Sequence, residues 1–292
     1  MTDKGPKRWA ADFWRDGQGD IVMQKTILIT GATDGIGLET AKKLVSMGHD
    51  ILLHGRNRSK LEKVVQELSI LADGGRLKSF VADLSRMTDV QELARAVTEK
   101  IKKLDVIINN AGVFVTSERT TDAGLDIRFA VNTIAPYLLT RKLLPLMDSS
   151  GRVINLSSAA QATVDLDALP GQRRLESDGE AYAQSKLALT MWSRDMSRSL
   201  GNDGPAIIAV NPKSFLGSKM VKQAYGADGS DLRIGADILC QAALSDEFAD
   251  ASGLYFDNDI GRFADPYPDA LDPEKCKEIV DVIETVLAQA IQ

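Results

Sequence analysis

The sequence predicts an α/β protein: a single domain built on a doubly wound parallel sheet of about seven strands, with helices on both faces. Short apolar runs alternate with amphipathic stretches along most of the chain, as expected for strands buried on both faces and joined by helical crossovers. A glycine-rich turn follows the first apolar run. The chain has 292 residues, 44% hydrophobic and 26% charged, which suits one large globular domain.

The apolar runs predict strands and the amphipathic stretches predict helices, taken in chain order. The predicted strands cover residues 25–30, 50–55, 77–83, 105–112, 151–158, 205–212 and 253–257. The predicted helices cover residues 37–47, 59–71, 87–103, a long segment around 121–144, 180–200 and 272–291. Asp272 and Pro273 predict the N-cap and first residue of the last helix.

Composition excludes several functional classes. A formal net charge of −6 disfavours nucleic acid as a partner. The only dense basic run, Lys100 to Lys103, falls where a predicted helix ends, and there cations complement the helix dipole. No apolar run is long enough for an integral membrane segment, and residues 1–20 lack the apolar centre of a secretory signal, so we expect a cytoplasmic protein.

Metal chemistry and disulfides are also disfavoured. His49 and His54 are the only histidines, and no cluster has the spacing of metal ligands, so no metal site is predicted. Cys240 and Cys276 are the only cysteines, and we expect free structural thiols rather than a disulfide framework.

The glycine-rich turn has the sequence TGATDGIG, with Gly31, Gly35 and Gly37 between the first strand and the first helix. At this position small residues let the backbone approach the phosphates of a dinucleotide, and the helix N-terminus faces their negative charge. Glycines also simply form tight turns, so the motif gains weight from its position after strand one.

The G-x-x-x-G-x-G spacing resembles that of the short-chain dehydrogenase/reductase family. Further matches follow in the family's order between about Lys25 and Asn211: Asp83-Leu84, Asn109-Asn110-Ala111-Gly112, Asn132, Ser158, and Tyr182 with Lys186. A Tyr-x-x-x-Lys pair alone is a weak signal, but the ordered set is strong. The resemblance implies a Rossmann fold and a nicotinamide cofactor.

The resemblance implies a catalytic set of Asn132, Ser158, Tyr182 and Lys186. A tyrosine hydroxyl titrates near ~10 in water, so proton exchange at neutral pH requires a nearby positive charge. Lys186, four residues on, lies on the same helix face as Tyr182. In the implied reaction Tyr182 gives a proton to a carbonyl oxygen that Ser158 holds, and Asn132 supports the water chain that returns the proton through Lys186.

The resemblance also implies the residues that hold the cofactor, and the second strand indicates which cofactor. The implied set is Gly31, Thr33, Asp34, Gly35, Ile36, Gly37, Arg56, Asn57, Asp83, Leu84, Asn110, Ala111, Gly112, Tyr182, Lys186 and Pro212. No carboxylate closes the second strand, where one would bind the ribose of NAD, and Arg56 can pair with a 2′-phosphate. We therefore expect NADP(H), with His54 or Asn57 assisting; the alternative is that Arg56 is only an exposed loop cation.

Two departures from the family pattern narrow the resemblance. Ser158 and Tyr182 are 24 positions apart, and this polar, loop-like insertion resembles the retinol-dehydrogenase-like branch. The family's usual Pro-Gly is replaced by Pro212-Lys213, and Ser218 lies where a Thr would contact the nicotinamide. The Thr contact is thereby in doubt, with Ser218 as a candidate replacement.

Residues 213–235 predict a lid over an apolar pocket, because Phe215, Leu216, Met220, Val221 and Tyr225 occur among several glycines. The same spacing suits a surface helix that covers a core. Val113, Phe114 and Val115 are candidates for the lining of the same cleft. We expect a mostly apolar small-molecule aldehyde, ketone or alcohol as the substrate.

Residues 1–22 predict an N-terminal extension ahead of the domain at 23–292. Trp9 with Phe13, and Ala10 with Trp14, share helix faces, which suits a membrane surface, a subunit contact, or packing on the domain itself. Family resemblance implies a homodimer or homotetramer through the helices that hold Asn132 and Tyr182. A non-catalytic NADP(H) redox sensor on the same fold is the alternative function.

Overall fold

The computed structural model describes residues 23–72, 74–226 and 228–291, so the predictions for residues 1–22 lie outside the described residues. One sheet forms the centre, with strand order β3-β2-β1-β4-β5-β6-β7-β8. The strands are β1 Thr26–Ile29, β2 Asp50–Gly55, β3 Leu77–Val81, β4 Val106–Asn109, β5 Arg152–Leu156, β6 Ala206–Asn211, β7 Tyr255–Asp257 and β8 Arg262–Ala264. β1 to β7 run parallel, which confirms the predicted fold class.

Helices cover both faces of the sheet. They are α1 Gly35–Ser46, α2 Arg58–Ser69, α3 Met87–Lys100, α4 Ile127–Phe129, α5 Ala135–Leu143, α6 Asp178–Leu200, α7 Lys219–Tyr225, α8 Leu232–Leu244 and α9 Pro273–Ala290. Buried residues of α1, α2 and α8 form one core layer, and those of α3, α5, α6 and α9 form the other. Asp272 caps α9 and Pro273 begins it, as the sequence predicts.

The predicted count of about seven strands misses β8, which pairs antiparallel with β7. β8 is three residues long and Arg262 is exposed, so it gives no apolar run. Phe263 attaches it to the core, since its ring lies 5.0 Å from Phe248 and 5.1 Å from Phe256.

The segment predicted as one helix around 121–144 is divided. Asp126 caps α4, and a π-helical turn, Ala130–Ile134, separates α4 from α5. Pro136, at the start of α5, has no N–H to donate back to the carbonyl of Asn132. The wide turn therefore carries Asn132, and π turns of this kind occur often at functional sites.

The insertion between Ser158 and Tyr182 is irregular, as predicted, but it is packed rather than free. Ala168 and Leu169 are fully buried in it. The backbone N–H of Asp165 donates to Gln184 of α6 at 2.9 Å. These contacts fix the insertion to the helix that carries Tyr182.

Helix α9 packs along α6 and buries Cys276, Ile279 and Ile283 against it. Its Glu284 accepts hydrogen bonds from Tyr137 at 2.5 Å and from Arg141, both on α5. Any subunit interface through α5 and α6 must therefore include or displace α9. Among residues 23–72, 74–226 and 228–291, no helix combines the length and apolar character needed to cross a bilayer.

Candidate active site

A cleft of about 550 Å³ opens at the carboxyl ends of the central strands. It lies beside the ends of β1 and β4, two paired strands at which the strand order reverses, and open α/β sheets bind ligands at such a point. Among its lining residues are Gly31, Thr33, Asp34, Gly35, Ile36, Arg56, Asn57, Asp83, Leu84, Asn110, Ala111, Gly112, Tyr182, Lys186 and Pro212. The structure thus brings together most of the predicted site; Gly37, Asn132 and Ser158 lie behind or beside this lining.

The glycines of the turn serve different physical needs. Gly35 has φ +58 and open space where a side chain would project, so the turn needs a left-handed residue there. A Cβ at Gly37 would lie 2.5 Å from the Gly31 carbonyl oxygen and closer still to the side-chain nitrogen of Asn110. Gly37 therefore lets α1 approach the segment after β4.

Two side chains from neighbouring strands hold the turn in place. Asn110 donates through its amide to the carbonyls of Thr30 at 2.9 Å and Gly31 at 3.0 Å. His54 Nδ1 accepts from the backbone N–H of Gly31 at 3.3 Å, and its Nε2 lies 3.1 Å from the Ala82 carbonyl. The backbone of the turn is thus fixed by one side chain from within β2 and one from just after β4.

His54, which we expected to assist Arg56 at a 2′-phosphate, has both ring nitrogens close to backbone atoms, of Gly31 and Ala82. Because Nδ1 accepts a hydrogen bond, the ring is neutral with its proton on Nε2. Burial lowers the pKa of His54 to about 4, and only 2% of the residue is exposed. His54 orders the turn.

Asp34 connects the turn to the segment on the far side of the cleft. Its carboxylate caps α1 by accepting from the Gly35 N–H at 2.9 Å and pairs with Lys219 at the start of α7. Burial alone raises the pKa of Asp34, but the hydrogen bonds from Lys219 and Gly35 hold it below its usual value. The ion pair spans the mouth of the cleft.

The end of the cleft beyond β2 carries positive charge. Arg56, Asn57 and Lys60 line it, and Asn57 caps α2 by accepting from the Lys60 N–H at 2.9 Å. Sequence reasoning missed Lys60; its position one helical turn beyond Arg56, just after the N-cap, is the signal that could have revealed it.

Across from these cations, Asp83 is occupied within its own turn. Its carboxylate accepts from the backbone N–H of Ser85 at 3.0 Å and from the Ser85 hydroxyl at 2.8 Å. Ser85 also lines the cleft and was missed in the sequence, because one serine after a strand carries no distinctive signal.

Lys186 and Tyr182 lie together at the other end of the cleft. The Lys186 ammonium is 5.6 Å from the centre of the Tyr182 ring and donates to the Leu156 carbonyl at 2.6 Å. Burial lowers the pKa of Lys186 to about 8. The ring of Phe114 lies 4.6 Å from that of Tyr182, so an aromatic side chain borders the predicted proton donor.

Ser158 lies two residues beyond the end of β5, outside the lining of the cleft. Its hydroxyl accepts from the Ala160 N–H at 3.1 Å, and its carbonyl accepts from the Tyr255 hydroxyl at 3.1 Å. A hydroxyl that accepts from the backbone keeps its own proton for another acceptor.

Asn132 is buried behind the cleft. Its amide accepts from the Val113 N–H at 2.8 Å and donates to the Val113 carbonyl at 3.0 Å. It also donates to Ser185 of α6 at 3.0 Å. Asn132 therefore joins the segment after β4 to the helix of Tyr182 and Lys186.

Part of the segment that we predicted as a lid lines the cleft. Ser218, Met220 and Gln223 line it, and Met220 reaches towards Gly112. Of the apolar residues named from the sequence, Leu216 is 3% exposed and Phe215 is 56% exposed, so only part of the set faces the protein. Lys213 and Phe215 adopt positive φ values of 114 and 53, which strains the chain after β6.

Comparison with known proteins gives consistent matches. The family model described as short chain dehydrogenase matches residues 25–228. Human retinol dehydrogenase 13 is 32% identical over 275 residues, covering 87% of this chain and 82% of that protein. The chloroplastic short-chain dehydrogenase TIC 32 A of Brassica napus is 31% identical and covers 79% of each chain. The solved structure of landomycin C-6 ketoreductase LanV, with bound NADP and rabelomycin, is 28% identical with a TM-score of 0.63, covering 80% of this chain and 94% of that one.

Proposed function

The chain belongs to the short-chain dehydrogenase family, and from that premise we propose that it is an NADP(H)-dependent oxidoreductase interconverting a carbonyl and an alcohol on a mostly apolar small molecule. Oxidoreductase activity on a carbonyl or alcohol follows from the family, and its relatives include the retinol-dehydrogenase-like branch. One observation carries the finer proposal: a single cleft joins the cations at Arg56 and Lys60 to the pair Tyr182 and Lys186.

The residues present fit a nicotinamide dinucleotide. The open space at Gly35, beside the first N–H groups of α1, suits a pyrophosphate. Asp83 and Leu84 suit the adenine end, and Lys186 and Pro212 suit the nicotinamide end. When bound, this cofactor supplies or accepts the hydride.

Tyr182 transfers the proton. In carbonyl reduction its hydroxyl donates to the substrate oxygen; in alcohol oxidation its phenolate accepts. The Lys186 ammonium stabilises that phenolate, and buried surroundings strengthen the attraction because the local dielectric constant is low. The Ser158 hydroxyl, which keeps its own proton, donates to the substrate oxygen and orients it.

Asn132 and the π turn provide the route by which the proton returns. Pro136 leaves the Asn132 carbonyl without the donor that a regular helix would supply, so that carbonyl can hold a water. The Asn132 side chain holds the turn against Val113 and Ser185. Water held there connects Lys186 to the outside of the site.

NADP(H) is supported by the two cations after β2. Arg56 offers a planar fork of donors, and Lys60 adds a second charge from the first turn of α2. Since β2 ends without a carboxylate, nothing there repels a 2′-phosphate. A 28% identical relative was solved with bound NADP.

An apolar substrate is supported by the residues around Tyr182. Val113, Phe114 and Val115 line the cleft after β4, and Met220 faces them from α7. Such a surface favours aliphatic or aromatic carbonyl compounds over small charged ones. Activity restricted to small charged carbonyls would contradict this part of the proposal.

The alternative function, a redox sensor, would bind the same cofactor but would not turn over a substrate. The pairing of Tyr182 with a buried lysine favours the enzyme, since a sensor needs no proton donor. Residence in the cytoplasm and assembly as a homodimer or homotetramer remain part of the proposal.

The deciding experiment is NADPH oxidation by the purified protein across a panel of aldehydes, ketones and quinones, with Tyr182→Phe beside it. We expect the wild type to oxidise NADPH with at least one of these substrates. We expect Tyr182→Phe to lose this turnover but still to bind NADPH. NADPH binding without turnover on any carbonyl or alcohol would favour the sensor. Equal turnover by wild type and variant would remove Tyr182 from the mechanism.

A further inference from the structure

Arg128 is a fully buried cation whose guanidinium joins three parts of the chain. None of its side chain is exposed. It donates to both carboxylate oxygens of Asp126, at 2.8 and 2.6 Å. Its Nη1 atom donates to Asp178 at 2.6 Å and to the Phe114 carbonyl at 3.3 Å.

The contacts with Asp178 and Phe114 both affect the position of Tyr182. Asp178 is the first residue of α6, and Tyr182 follows it by one helical turn. Phe114, whose carbonyl Arg128 holds, places its ring 4.6 Å from the Tyr182 ring. Arg128 therefore holds both the start of the helix that carries Tyr182 and the aromatic residue that packs on its ring.

Asn132, four residues after Arg128, holds the residue next to Phe114. Its amide brackets Val113, the residue before Phe114. Residues 113 and 114 are thus held from one helical stretch, by Asn132 and by Arg128. Two consecutive residues beside Tyr182 are therefore held by hydrogen bonds from buried side chains.

Burial alone would lower the pKa of Arg128, but Asp126 and Asp178 raise it. The guanidinium remains charged, and its planar fork satisfies partners in different directions at once. Lysine offers a single ammonium and cannot reproduce that geometry.

We propose that Arg128 is a positioning residue for the proton donor: by joining Asp178, Asp126 and Phe114, it sets where the Tyr182 hydroxyl lies relative to Lys186. This inference rests on the proposed function in assigning proton transfer to Tyr182. Arg128 does not line the cleft, so it acts through these partners and touches neither cofactor nor substrate.

The test measures the ionisation of Tyr182 directly in the full chain, by NMR titration of tyrosines labelled with ¹³C at Cζ. The chain has 5 tyrosines, and Tyr182→Phe assigns the signal. In Arg128→Lys we expect the Tyr182 midpoint to rise by at least half a pH unit, because the phenolate moves away from the Lys186 ammonium. We also expect kcat for carbonyl reduction to fall roughly tenfold, with KM for NADPH unchanged within twofold.

Arg119→Gln is the matched control. Arg119 also pairs with Asp178, at 3.2 Å, but is 45% exposed, and its other hydrogen bond goes to Leu175 rather than Phe114. In Arg119→Gln, the titration midpoint of Tyr182 and kcat should both match those of the wild type. If Arg128→Lys does not fold, Asp178→Asn takes its place, because it removes the carboxylate charge that holds α6 to Arg128 while Asp126 still pairs with Arg128.

A folded Arg128→Lys or Asp178→Asn with the wild-type Tyr182 midpoint and kcat would overturn the inference and leave Arg128 a purely structural ion pair. Equal shifts in Arg119→Gln would also overturn it. If the wild type turns over none of the carbonyls or alcohols, the proposed function fails, while the Tyr182 titration still decides whether Arg128 positions that residue.

Discussion

The ammonium of Lys186 lies 5.6 Å from the centre of the Tyr182 ring, on a side chain that is 4% exposed. Helix α6 provides this pairing, and β5 provides the Leu156 carbonyl that the ammonium also meets. Holding a charge in this buried position opposes folding, because water solvates an ammonium far better than the protein interior does.

This burial predicts that the free energies of unfolding of wild type and Lys186→Met differ by an amount that depends on pH. The pKa of Lys186 falls from 10.5 to about 8 on folding, so the unfolded chain holds more protons between those values, and this contribution to stability rises with pH. The free energy of unfolding of wild type minus that of the variant should rise by roughly 3 kcal/mol between about pH 8 and 10.5. Urea unfolding at a series of pH values measures it, and a flat difference would contradict the prediction.

Arg56→Ser should reduce the preference for NADPH over NADH. Losing charge-assisted hydrogen bonds to a 2′-phosphate removes about 1.5–3 kcal/mol, roughly 10- to 100-fold in the ratio of kcat/KM values. Arg58→Ser is the control, because Arg58 is an exposed arginine at the start of α2 that does not line the cleft. An unchanged ratio in Arg56→Ser would show that Arg56 is only a surface cation.

Gly37→Ala should weaken NADPH binding at least tenfold. The new methyl group would meet the Gly31 carbonyl and the Asn110 amide, so the turn must move. Gly179→Ala is the matched control near the start of α6, where a Cβ meets open space, and there a helix former should add up to about 1 kcal/mol of stability. Isothermal titration of NADPH into both variants tests the pair; equal affinities would mean that the turn tolerates the methyl group.

His54 should remain neutral well into the acid range. Burial lowers its pKa from 6.5 to about 4, so the stability that it contributes is present above pH 6.5 and is lost as the pH falls towards 4. ¹⁵N NMR of the two imidazoles, assigned with His49→Asn, should show a proton on Nε2 of His54 at pH 6. Protonation of His54 near pH 6.5 would contradict the hydrogen bond from Gly31.

The sequence predicts what depends on local pattern. Buried parallel strands read as short apolar runs, and the motif residues that follow them meet at one edge of the sheet because parallel strands end there. The positions of Gly31 and Asn110 in one cleft follow from this rule, whereas Tyr182 and Lys186 reach it from within α6.

Features that depend on contacts between distant residues could not be predicted. Nothing in the local sequence singles out Arg128 or Lys60, yet one is fully buried and the other lines the cleft. The hydrogen bonds of His54 to Gly31 and Ala82 join parts of the chain that are distant in sequence, so no local pattern reveals them. β8 carries too few apolar residues for a pattern, and only its pairing with β7 reveals it.

The π turn between Arg128 and Pro136 also limits how this part of the chain can change in length. Each residue of a helix advances the direction of the next side chain by about 100°. Removing Ala130 or Val131 would therefore rotate Asn132 relative to Arg128, and one of them would lose its partners. Surface loops tolerate the gain or loss of single residues. In this turn, such a change would alter the directions of the side chains of Arg128 and Asn132.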